Sequence, residues 1–332
     1  MQRTLINDIY IVIILNIFIL ILCLGCTSND NIVKYEKFPT EYSLSADSVS
    51  TKKIYDNVFM NLTDSLLVVS SFKADTMMHF YSTPALRYKF STGAKGHGSN
   101  EMQSFPTFCK TLTKNLYVRG YTENTIRKFH LLDTQILEDE RYNISLTEVP
   151  NDMHVIHDSL LYYNDLTNME IKSYNLRERK ITHTFRLLNI YEENKDALIG
   201  YLCLNDTSAI YAFQYKREIL VLRPRDLAYV KTVTWDYKNQ HTILSNPKRH
   251  PILYYTNGFV SPKYFYLLYR GSTPLNKDAH FSIEKYDNNM TPICKYNLDR
   301  KLFKFVVDEA NSYIYGFGEN DDYIYRYKLP KN

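Results

Sequence analysis

Only one tryptophan, ten glycines and eleven prolines occur in 332 residues. That scarcity excludes a collagen-like or Pro/Gly-rich low-complexity chain. Cysteine is sparse too, with five residues. Cys109, Cys203 and Cys294 lie 94 and 91 residues apart, each in an apolar, strand-like setting. Such an odd, dispersed set reads as buried free thiols rather than a disulfide framework. Charge of one sign is also missing: 40 basic against 36 acidic side chains leave +4, and the Lys and Arg are scattered. A nucleic-acid face is therefore not expected. No long amphipathic helix pattern is present; the best window, Ile190–Leu202, is short. There is no G-x-x-x-x-G-K-[ST] phosphate loop, no G-x-S-x-G elbow and no Ser/His/Asp or Cys/His order.

Long hydrophobic runs are absent but for one, Ile9 to Leu24, interrupted by Tyr10 and Asn16. It is shorter than the roughly 20 residues a spanning helix needs. Arg3 precedes it, partly offset by Asp8, and Leu24, Gly25 and Cys26 end it. This ending resembles a bacterial lipoprotein signal, in which a small residue precedes the cut and the cysteine is acylated. Cys23 stands where the usual pattern has leucine. The reading is a signal peptide over 1–25, lipidation at Cys26 and a polar tether over 26–40; the alternative is an uncleaved membrane anchor. Thr27 rather than aspartate follows the cysteine, so the expected address is the outer membrane, on either face.

Tyrosine is what the chain has in excess, 30 residues beside 17 phenylalanines. Such rings suit strands, packing on a pleated surface while the hydroxyl reaches water. One unit recurs: an apolar, Tyr-rich run, a polar turn and a second alternating run. The first runs begin at Leu66, Leu116, Leu160, Ala209, Tyr264 and Ser312, separated by 50, 44, 49, 55 and 48 residues. The second begin at Met77, Thr125, Glu170, Glu218, Phe281 and Tyr323. Six units of this length predict an all-β, six-bladed β-propeller over 41–332, with four-stranded antiparallel blades. The last unit is short, so residues 41–54 are expected to supply its missing outer strand and close the ring.

Between the first two units lies a loop containing Gly93, Gly96, Gly98, Glu101, Phe105 and Pro106. Together with the six repeats it resembles the TolB-like six-bladed propeller lipoproteins of the Bacteroidetes, which carry G-x-x-G-x-G-P-x-E and then an aromatic–proline element. Ser99 stands where that family usually has proline. The ending, Phe305 to Glu309 and then Ile314-Tyr-Gly, is similar too. The resemblance spans about residues 30–330 and implies the fold and the lipoprotein context; the family has no assigned activity. Physically, three glycines within six residues permit positive φ and close backbone approach. The reading is a tight inter-blade crossing with Glu101 accepting backbone N–H bonds.

Other candidates are weak. His154 and His157, followed by Asp158, are spaced as a metal pair, but on a strand a spacing of three sends the rings to opposite faces. Glu138, Asp139 and Glu140 read as a solvated turn, and the carboxylates of Glu319, Asp321 and Asp322 as a hairpin. The sequons at Asn61, Asn143, Asn205 and Asn289 reflect abundant asparagine. No catalytic residue, metal or cofactor is assigned, and a monomer is expected. Two functions stay open: a membrane-tethered binding module for an envelope protein, peptide or glycan, or a glycan lyase or hydrolase. Convergent His, Arg and carboxylates at the channel mouth would favour the enzyme, and an apolar or mixed rim the binder.

Overall fold

The computed structural model describes residues 31–50, 57–63, 65–72, 74–96, 101–111, 113–191, 194–235, 250–318 and 323–330. The expectations for residues 1–25, Cys26, Gly98, 51–54 and 319–322 lie outside these. The described chain is six small sheets arranged as the blades of a propeller. From the axis outward, blade 1 runs Asn57–Thr63, Leu66–Ser71, Thr76–Ser82 and Arg87–Lys95. Blade 2 runs Pro106–Phe108, Asn115–Gly120, Thr125–Leu131 and Ile136–Glu138. Blade 3 runs Asn151–Ile156, Leu160–Asp165, Glu170–Asn175 and Lys180–Arg186. Blade 4 runs Gly200–Leu204, Ala209–Phe213, Glu218–Arg223 and Ala228–Trp235. Blade 5 runs Leu253–Val260, Tyr264–Ser272, Phe281–Asp287 and Pro292–Leu298. Blade 6 begins with Lys304–Asp308, Tyr313–Phe317 and Tyr323–Lys328.

The Tyr-rich runs are the second and third strands of each blade. They are buried because neighbouring blades cover both their faces, and Ala209–Phe213 is buried at every position. Outer strands face water on one side, so Lys180–Arg186 is mostly exposed. Six apolar clusters fill the six gaps between blades. One of them joins Leu67, Val69 and Tyr81 of blade 1 to Val306, Tyr315 and Phe317 of blade 6, which closes the ring.

Closure comes from the N-terminal segment, as expected: Ala46–Ser50 is the antiparallel outer strand of blade 6. Two features differ from expectation. Five of the six sheets have five strands rather than four, and four of the extra strands are parallel. Ile32–Tyr35 lies along the outer strand of blade 4 and Glu41–Leu44 along that of blade 5. An outer strand has unpaired N–H and C=O groups on its free side, and a passing segment satisfies them. The stretch expected as a tether over 26–40 therefore contains a strand, and Phe38 within it is buried.

Tyrosine also behaves differently from the sequence reading. Tyr117, Tyr163, Tyr211 and Tyr266 on second strands are fully buried, so their hydroxyls bond protein rather than water. Tyr117 donates to Asp158 at 2.9 Å and Tyr266 to Glu309 at 2.6 Å, in each case a carboxylate on the first hairpin of the next blade. The ring fills the gap between blades and the hydroxyl ties them together.

Candidate functional site

The innermost strands contact one another in order around the axis. All six contribute to a cavity of about 320 Å³ at the end where they begin. A glycine on blade 4 and another on blade 5 let neighbouring strands approach there. A Cβ on Gly200 would lie 2.5 Å from the Ala212 carbonyl oxygen, and one on Gly258 2.5 Å from the Cys203 sulfur.

Blade 6 contributes Lys304, whose ammonium lies 5.2 Å from the ring centres of Phe59 and Phe303 and 6.0 Å from Tyr201. Among the described residues Lys304 has no ion pair within 4 Å. Burial pushes it down to about 8; nearby Asp152 opposes that shift and Lys110 adds to it. Lys110, on the short strand Lys110–Thr111 that pairs with the inner strand of blade 3, makes long Nζ contacts to Leu202 O (3.5 Å) and Cys203 Sγ (3.6 Å). Blade 3 contributes Asp152. A register shift between Asn151 and His154, with Asp152 at φ +39°, breaks the pleat there, and the Asp152 carboxylate accepts from Leu202 N at 3.4 Å. Carboxamides line the wall as well: Asn61, Asn151, Asn164 and Asn257.

Arg119 also lines the cavity, with its Nη1 engaged and its Nε buried without a partner among the described residues. Its Nη1 donates to the carbonyl oxygens of Gly120 (3.0 Å), Tyr121 (2.7 Å) and Glu123 (2.6 Å). That grip fixes the loop carrying Tyr121 at the rim. Tyr121 stacks on Phe105 with centroids 4.6 Å apart, Phe105 meets Phe72 edge-on at 5.3 Å, and Phe59 stacks on Phe105 at 6.1 Å. Phe72, Tyr121 and Phe303 are 55, 49 and 43% exposed, so the rim presents aromatic surface to solvent.

The glycine loop leads into this rim. Gly93 takes φ +78° beside the Met78 side chain, and Gly96 N donates to Met102 O at 3.1 Å. The Glu101 carboxylate lies over Gly96, where a Cβ would be 1.9 Å from it, and Pro106 opens the inner strand of blade 2 opposite Gly120. Phe105, between them, is the part of the loop that reaches the mouth.

The two histidines are separated. His154 is buried, its Nε2 donating to Leu202 O at 2.8 Å, and burial together with the Lys110 charge holds it neutral. His157 sits in the hairpin turn, 3.0 Å from Asp206. Among the described residues no group of three His, Cys, Asp or Glu could hold a metal ion. The acidic turn is not simply solvated: the Glu138 and Asp139 side chains are only 9% exposed. Asp139 accepts from Arg141 at 3.0 Å, which with His130 lowers its carboxyl to about 2. Glu138 accepts from Arg127 and Asn143. Cys109, Cys203 and Cys294 are free and buried.

The sequence reading missed Lys110, Asp152, Lys304 and the aromatic rim. The available signal was positional for Asp152 and Lys304, each at the start of an inner strand and eight residues before a recognised Tyr-rich run.

No family model matches the chain, and no curated protein matches it. Solved structures do. A protein of Bacteroides fragilis described as exported superposes with a TM-score of 0.59 at 10% identity, covering 91% of this chain and 99% of that one. The WD40 repeats of RRP9 superpose at 0.54 and 8% identity, covering 86% of this chain and 100% of that one. Streptogramin B lyase superposes at 0.50 and 9% identity, covering 86% and 98%. The chain shares the propeller fold with these proteins. Among the described residues no helix is long and apolar enough to cross a membrane.

Proposed function

We propose that the chain is an envelope lipoprotein of the TolB-like propeller kind, acylated at Cys26 and held at the outer membrane, whose channel mouth binds a ligand. The observation that carries this reading is the mouth itself: six blades converge on one cavity that combines aromatic rings, carboxamides and ammonium groups. An enzyme would want an acid and a base there. Among the described lining residues Asp152 is the one carboxylate, there is no histidine, and the Nη1 of Arg119 is taken up by three carbonyl oxygens. The rim is mixed, which supports a binder.

Strand direction supports the tethered geometry. Ile32–Tyr35 runs parallel to Ala228–Trp235, and that strand is antiparallel to Gly200–Leu204 through two intervening strands. Gly200 and Tyr201 line the cavity, so Tyr35 is at the cavity end and Ile32 at the other. Cys26 precedes Ile32 by six residues. An anchor there would hold the far end to the membrane and leave the mouth open to its surroundings.

Two measurements test this. Metabolic labelling with a fatty-acid analogue should tag the wild-type chain and not Cys26→Ala; equal labelling would remove the anchor. The full chain, purified in detergent, is then tested against envelope glycans and peptides. Binding that Phe72→Ala and Tyr121→Ala both abolish supports the mouth, and binding that both retain puts the ligand elsewhere.

A further inference from the structure

The charge balance of the cavity narrows the ligand. Lys110 and Lys304 bring two ammonium groups to one small space, and Asp152 brings one carboxylate. Arg119 adds a third cation, but its Nη1 already serves three carbonyl oxygens. Those carbonyls are neutral and leave its charge in place, so three cations face one carboxylate and the cavity keeps an excess of positive charge, which suits an anion. Lys304 Nζ lies over ring faces and has no ion pair within 4 Å among the described residues. Lys110 Nζ has three donors and only two long contacts. Both can therefore accept a new partner without breaking a good bond.

The walls describe the rest of the ligand. Carboxamides of Asn61, Asn151 and Asn257 suit hydroxyl groups, while Tyr121, Phe303 and Phe59 offer faces to C–H-rich surface. A volume of about 320 Å³ is at the small end of ligand pockets, which run from about 300 to 1,000 Å³; it suits a sugar unit rather than a protein element. We infer that the mouth recognises an acidic sugar, a hexuronate unit of a glycan. Its carboxylate lies between the Lys304 and Lys110 ammonium groups and its ring against the aromatic rim. This rests on the reading of the mouth as a binding site and goes further by naming the charge and class of what enters.

The test is titration calorimetry on the full chain in detergent at pH 7, with D-galacturonate and D-galactose as probes. Galacturonate should bind at least about tenfold tighter than galactose, the advantage of a charge-assisted contact over a neutral one. Lys304→Gln and Lys110→Gln should each bring the two sugars close together, with circular dichroism unchanged; two variants guard against one that fails to fold. Equal affinity for the two sugars in the wild type would overturn the acidic-sugar inference. So would galacturonate binding that neither glutamine variant weakens. If galacturonate fails but a neutral glycan or a peptide binds and Tyr121→Ala abolishes it, the inference fails and the mouth stands as the site. If whatever binds ignores both Tyr121→Ala and Phe72→Ala, both fail.

Discussion

The Phe38 ring lies 4.8 Å from that of Trp235, with planes 17° apart, and meets Tyr286 edge-on at 5.5 Å. Phe38 precedes the first blade in sequence, yet its partners belong to blades 4 and 5. It pins a strap formed by Ile32–Tyr35, Glu41–Leu44 and Ala46–Ser50, which runs over the outer edges of blades 4, 5 and 6. Phe38 is 6% exposed whereas Ile32 is 51% exposed. Phe38→Ala should therefore cost about 3 kcal/mol in urea unfolding, the lower range for a buried ring, and Ile32→Ala under about 1 kcal/mol. Trp235 is the only tryptophan, so Phe38→Ala should also red-shift the native fluorescence. An unshifted spectrum with unchanged stability would mean that the strap does not hold the ring together.

Between the same two blades Glu284 is fully buried and accepts from Arg217 at 2.8 Å and from Tyr286 at 2.6 Å. The guanidinium also stacks on Tyr269 at 4.2 Å and on Trp235 at 4.8 Å. Removing one ion of such a pair leaves the other uncompensated. Arg217→Met should destabilise by about 3–5 kcal/mol, and the double variant Arg217→Met with Glu284→Leu should recover much of that. Thermal melts of the three proteins check this. A double variant no more stable than the single one would show that the loss came from packing rather than from a stranded charge.

Lys304 ties stability to pH. Its folded value, pushed down to about 8, lies below the unfolded value of about 10.4. Folding therefore carries a charge penalty that is fully present below pH 8 and relieved as pH rises from 8 towards the unfolded value. Lys110, Asp152 and the Tyr201 ring face the same ammonium, and the Lys110 charge adds to the penalty. Lys304→Met should stabilise the chain at pH 7 by about 1 kcal/mol and flatten the rise above pH 8. The same group must be charged to hold a carboxylate, so galacturonate affinity should fall as pH rises through 8. Calorimetry at pH 8.5 in buffers of different ionisation enthalpy should report proton uptake. A pH-independent affinity between 7 and 9 would remove Lys304 from the contact.

Much of the fold was legible because the middle strands are pressed between blades. Burial on both faces demands continuous apolar, Tyr-rich runs, and Leu160–Asp165 and Ala209–Phe213 show that pattern. The inner strands were not legible, for two physical reasons. Their channel face holds polar and charged groups such as Asn61, Asp152 and Lys304 in place of an apolar alternation. Their pleat is also broken by register shifts between Asn57 and Met60, Asn151 and His154, and Tyr255 and Asn257. The features that make the cavity are thus the ones that hide it from a search for alternation. The strap was half legible. The short last unit demanded an outside strand, but Ile32–Tyr35 alternates only between exposed and half-buried positions, a weak signal in a polar stretch. Of the glycine loop, the destination of Phe105 was not readable, since its partners Phe59, Phe72 and Tyr121 come from separate places in the chain.

The most direct test of the channel mouth is the rate of amine acetylation at individual lysines, read by mass spectrometry on the full chain at pH 8. It is measured without sugar, with galacturonate and with galactose. Galacturonate should slow Lys304 and Lys110 and leave exposed Lys277 unchanged, while galactose at the same concentration should protect far less. If galacturonate binds and both cavity lysines react as fast as before, the ligand is not in the mouth and the account is wrong.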